Sequence, residues 1–221
     1  MSDVLNQPRS FLASLPPVCP PAVTGWVTIG LAVAWTIVSV LSAVVGLVTK
    51  GELQAWVDGS GDDATGFFVL AGLGAAEGAL MVAAWIAGSI WLLGLCRVAA
   101  VVSPGHPHRR SQVWAVLGWV VPIVHLWFPL QVVAEALSAV GGRSRRLLPV
   151  WWTTWLLASV VGYAASRLGG DLVTAHKVTR WVAGMTVDAG LMLFALPAWV
   201  VLVRRATQAA ADAAGAATVE P

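Results

Sequence analysis

The chain has 221 residues, of which 58% are hydrophobic and only 11% charged, with a net charge of +2. Soluble domains carry charge on about a quarter of their residues, so a water-soluble globular domain is excluded. Uncharged apolar runs of about 20 residues, the length that crosses a hydrocarbon core, mark one polytopic membrane domain instead.

Residues 1–21 carry prolines at 8, 16, 17, 20 and 21 and cannot form a continuous helix. Residues 22–48 form the first span. The stretch from Lys50 follows, with Glu52, Asp58, Asp62 and Asp63 and the turn formers Gly59 and Gly61, and its low Lys/Arg content marks an external loop. Residues 67–95 form the second span, broken in polarity only by Glu77. Alanines at 71, 75, 79, 83 and 87 run beside Gly74 and Gly78, and small residues four apart let backbones approach closely in lipid. This helix is therefore expected at the centre of the bundle. Cys19 and Cys96 give no disulfide framework.

Residues 113–129 are apolar but interrupted by Pro122, His125 and Pro129. Residues 130–140 place Gln131, Glu135 and Ser138 on one helical face, which predicts a short amphipathic helix in the membrane interface, stopped by Gly141-Gly142. Residues 147–166 span again, with Trp151, Trp152 and Trp155 as an interfacial aromatic belt. Residues 181–203 form the last span, interrupted by Asp188 and Pro197 and closed by Arg204-Arg205. Residues 206–221 form an alanine-rich tail with too little large apolar surface to pack alone. A membrane domain over 22–205 thus lies between two tails.

The 13 Lys and Arg residues choose the topology. If 113–129 enters and leaves on one side, nine arginines (9, 97, 109, 110, 143, 145, 146, 204 and 205) face the cytoplasm. Lys50, Arg167, Lys177 and Arg180 face out, a split of nine to four. If all five segments cross, the split is six to seven either way. The positive-inside bias favours an all-α membrane protein with four transmembrane helices plus a Pro-interrupted re-entrant segment, both termini cytoplasmic, over five transmembrane helices. Irregular backbone at that depth requires protein or water around it.

Arg97, Ser103-Pro104, Arg109-Arg110, Trp114, Gly118-Trp119, Pro122, Trp127, Pro129 and Trp151-Trp152 stand in an order that resembles a bacterial integral membrane family. That family is a domain of unknown function, found mostly in high-GC Gram-positive bacteria. The likeness covers roughly residues 70–203. It departs from the family pattern at Val98-Ala99-Ala100 and at His125, where asparagines are common. The resemblance implies a membrane location and a similar fold, and no activity.

Glu77 and Asp188 are the acids within apolar helices, and His125 lies in the irregular segment; together they are the candidate intramembrane polar site. Cys96, His106 and His108 lack a fourth ligand, so no metal site and no cofactor is expected. No nucleophile–base motif or phosphate loop is present, which argues against an enzyme. The expected function is a non-enzymatic interaction or regulatory protein of the cytoplasmic membrane, self-associating through the small-residue helix. Its partners are the lipid bilayer, anionic headgroups at the cytoplasmic arginines and a second copy of the chain, with no nucleic acid. The alternative is a small transporter or channel component using Asp188, Glu77 and His125. Carboxylates facing each other inside the bundle favour transport; lipid-facing or interfacial ones favour interaction.

Overall fold

The computed structural model describes residues 20–103, 116, 126–141, 146–170 and 174–219. Among them five helices and no strand make the fold: α1 (Ala22–Val57), α2 (Thr65–Val102), α3 (Phe128–Ala139), α4 (Leu147–Gly169) and α5 (Ala175–Val219). The long helices α1, α2, α4 and α5 are apolar enough to cross a membrane. The four-span, all-α architecture read from the sequence is what the protein adopts, and it is a multi-pass membrane protein. Most of the 113–129 segment, and with it the choice between re-entry and crossing, lies outside the described residues.

α1 starts immediately after Pro20-Pro21, where the missing amides cost nothing because first-turn donors have no helical acceptor. It does not stop at Val48. Its 36 residues run through the stretch expected as a loop, and at ~1.5 Å per residue this is roughly 54 Å, well beyond a hydrocarbon core. The extra turns are held by packing: Leu53 is 1% exposed and sits with Leu70, Val178 and Val182. Gln54 also donates to Thr179 Oγ1 at 3.0 Å. Gly59, at φ 71°, ends the helix in the left-handed conformation a side chain would resist.

α1 and α5 lie side by side at the centre, with α2 flanking α1 and α4 flanking α5. The expectation that α2 forms the centre is corrected. Ala71, Gly74, Ala75, Gly78 and Ala79 are exposed, and a Cβ at Gly74 or Gly78 would meet nothing within 4 Å. The close approach occurs instead between α4 and α5. A Cβ at Gly184 would stand 2.8 Å from Ala165 Cβ, and one at Gly169 would stand 2.6 Å from Trp181 Nε1. Small residues on both helices permit this contact.

Two further expectations change for the same reason, burial of apolar area. Trp151 and Trp152 are each 4% exposed and belong to the core, not to an interfacial belt. Trp151 stacks on Trp199 at 4.4 Å and Trp152 on Trp155 at 5.1 Å. The alanine-rich tail is the continuation of α5 through Val219. Ala206 and Ala210 are fully buried, and Trp91 Nε1 donates to Thr207 Oγ1 at 3.0 Å. Small side chains pack well where a large neighbour such as Trp91 fills the space. The amphipathic α3 lays Val132, Val133, Ala136 and Leu137 against the core and ends at Gly141, φ 76°. Ser103 at the end of α2 donates to Ala139 O, tying the two helices together.

Candidate functional site

Because α2 and α4 flank opposite members of the α1–α5 pair, a cleft runs between them along the bundle, lined by all four helices. One end of it is polar. There a cavity of about 280 Å³ is lined by Glu77 of α2, Asp188 of α5 and Ser39 and Ser42 of α1, with no lysine or arginine among the described residues. The Ser42 hydroxyl donates to Glu77 Oε1 at 2.6 Å, a short charge-assisted geometry when the carboxylate is ionised. Ser39 is 3% exposed, and its Oγ has no hydrogen-bond partner among the described residues. On the α4 side, a Cβ at Gly162 would meet Asp188 Oδ1 at 3.1 Å, so the helix passes directly over the carboxylate.

The depth of this cavity follows from helical rise. Asp188 lies eight residues after Arg180 and sixteen before Arg204 in one continuous helix, roughly 12 Å and 24 Å respectively. Glu77 lies twenty residues before Arg97, roughly 30 Å. Both carboxylates are half-buried and face the cleft, nearer the Arg180 end of the bundle.

One turn further along the same helices the cleft becomes apolar. A cavity of about 120 Å³ is lined by Trp35, Trp85, Trp155, Trp199 and Met192, with Thr28 among them. Thr28 is 2% exposed; its Oγ1 and Trp85 Nε1 have no partner among the described residues.

The sequence candidates divide accordingly. Glu77 and Asp188 are brought to one cavity. His125 lies outside the described residues, as do Pro104, Trp114, Gly118, Trp119 and Pro122. Arg97 is exposed on α2, Trp127 is exposed ahead of α3, and Pro129 is buried in the first turn of α3. Trp152 Nε1 donates to Leu126 O at 2.8 Å, anchoring the end of the Pro-interrupted segment to α4. No cluster of three metal-ligating side chains occurs among the described residues.

A family model described as "Domain of unknown function (DUF4328)" matches residues 60–208. The chain belongs to the DUF4328 family. The match takes in α2 to α4 and most of α5, and so both carboxylates, Gly162 and the Trp151-Trp152 pair. The DUF4328 region does not include α1, which supplies Ser39 and Ser42 to the cavity. No curated protein and no solved structure matches the chain.

The serines were the residues the sequence reading missed. Their signal is a stripe on α1: Gly25, Thr28, Thr36, Ser39, Ser42 and Gly46 are all buried and recur mostly at helical three- and four-residue spacings.

Proposed function

We propose that the protein binds a cation within the membrane at Glu77 and Asp188 and carries it across, as a small transporter or a component of one. A single observation supports this most: two carboxylates on different apolar helices line one cavity that no lysine or arginine among the described residues enters. Intramembrane carboxylates are costly and commonly mark ion or proton paths. Two of them facing each other without a fixed positive charge call for a mobile one, a proton or a cation. Ser42 holds Glu77, and the unpartnered Ser39 hydroxyl is free to complete the ligand shell. No catalysis is invoked; the protein is read as non-enzymatic.

The arginine distribution supports a cytoplasmic-membrane location with both termini inside, the arginines there sitting against anionic headgroups. The polar cavity then opens nearer the outer face. A second reading, self-association, is favoured by the exposed small residues of α2 that line neither cavity, Ala75, Gly78 and Ala79, where Gly78 leaves open space for a second helix.

The test uses proteoliposomes carrying an imposed pH gradient. Adding a monovalent cation outside should dissipate the gradient faster than in protein-free vesicles, and Asp188→Asn or Glu77→Gln should remove the difference. Equal rates with wild-type protein and with none would remove the transport reading.

A further inference from the structure

The dicarboxylate cavity does not stand alone. Thr36 and Ser39 on α1 are three residues apart, and Glu77 and Met81 on α2 are four apart. The same four-residue step separates Asp188 from Met192 on α5. In each pair the first-named half of the cleft passes to the other within one turn. The polar and the aromatic cavities are therefore stacked along one groove, and the groove lies between α2 and α4, which do not close over it. Glu77 and Trp85 are eight residues apart on α2, roughly 12 Å along the axis.

We propose that this groove takes a lipophilic organic cation, entering sideways from the bilayer, with its charge at Glu77 and Asp188 and its apolar body against the tryptophans. This deepens the cation-site reading above and rests on it. Charge complementarity assigns the head: two acids, three serines (Ser39, Ser42 and Ser166) and, among the described residues, no basic side chain. Shape and chemistry assign the body. Trp35, Trp85 and Trp155 present broad apolar faces whose quadrupoles also favour cationic groups. A hydrated inorganic ion has no use for such a wall, and a simple acyl chain has none for the acids. Two of the lining residues carry buried hydroxyls without partners among the described residues, Ser39 at 3% exposure in the polar half and Thr28 at 2% in the apolar half. Buried polar groups normally find a partner, so each marks a place where the ligand's own polar atoms fit. The Trp85 indole N–H, also unpartnered, adds a donor beside Thr28.

The full chain purified in detergent tests this with three probes, by titration of bound ligand. Tetraphenylphosphonium should bind saturably. Tetramethylammonium, the charge without the body, should bind about tenfold more weakly or less, and tetraphenylborate, the body with the opposite charge, should not compete. Asp188→Asn combined with Glu77→Gln should weaken tetraphenylphosphonium about tenfold, and Trp85→Phe, which keeps a smaller aromatic face, should weaken it less. Displacement of tetraphenylphosphonium by tetramethylammonium mole for mole would overturn the aromatic half of the site. Equal binding to the double variant would overturn the assignment of the head. If tetraphenylphosphonium fails to bind while an inorganic cation still dissipates the proteoliposome gradient, the carboxylate site stands and its ligand class is wrong. If neither occurs, the site itself is wrong.

Discussion

Gly162 on α4 leaves Asp188 on α5 without a side chain above it: a Cβ there would stand 3.1 Å from the Oδ1 oxygen. The neighbouring Gly184, Ala165 and Gly169 bring the two helices equally close, so the carboxylate is roofed by backbone on one side and opens to the cleft on the other.

Gly162→Ala is expected to press on Asp188 and weaken cation binding severalfold with little change in melting temperature. The methyl meets a flexible carboxylate and not a rigid wall. Ligand titration beside a thermal scan in detergent separates the two effects; a large drop in melting temperature with unchanged affinity would mean that Gly162 serves packing alone.

Gly184→Leu and Gly78→Leu should behave oppositely. The first forces a large side chain into the 2.8 Å approach to Ala165 and should destabilise by about 1–3 kcal/mol, lowering folded yield. The second projects into open space and should leave monomer stability unchanged, altering only self-association. Equal losses from both would contradict the outward orientation of Gly78.

The α5 extension should matter to folding. Thr207→Val strands the Trp91 indole N–H, which is otherwise bonded at 3.0 Å inside the core, and should cost about 1–3 kcal/mol. Removing residues 206–221 should cost more, since Ala206 and Ala210 are fully buried. A truncated chain that melts like the full one would show that the extension is passive.

Much of this was legible in the sequence, and the failures share a cause. The four spans and the two intramembrane acids follow from hydropathy, which reports the solvent a segment prefers. Which face of a span meets protein and which meets lipid is not reported by hydropathy, because both are apolar. Ala71 to Ala87 therefore looked like a packing seam throughout, although Ala71, Ala75 and Ala79 are exposed and only Ala87 is buried, while the closer seam, Ala158, Gly162, Ala165 and Gly169, is equally small and equally apolar. Trp151 and Trp152 read as a belt for the same reason: tryptophan suits an interface and a core alike. The α1 stripe of Thr28, Thr36, Ser39 and Ser42 was the one available clue to the cleft, since hydroxyls gain nothing from facing lipid.

Topology has a direct readout. Single cysteines at positions 59–61 should react with an impermeant thiol reagent in intact cells, while one at Arg97 or Arg204 should react only after permeabilisation. Reaction at Arg97 from outside would reverse the orientation.

The central claim is that Glu77 and Asp188 form one cation site inside the bilayer. A hydrophobic carbodiimide, which reaches protonated carboxyl groups from lipid, tests it most directly when the modified residue is mapped by mass spectrometry in membranes. Modification is expected at Asp188 or Glu77, to slow when tetraphenylphosphonium is present, and to vanish in the combined Asp188→Asn, Glu77→Gln protein. Failure to modify either carboxyl, or modification at a rate that no cation changes, would contradict it.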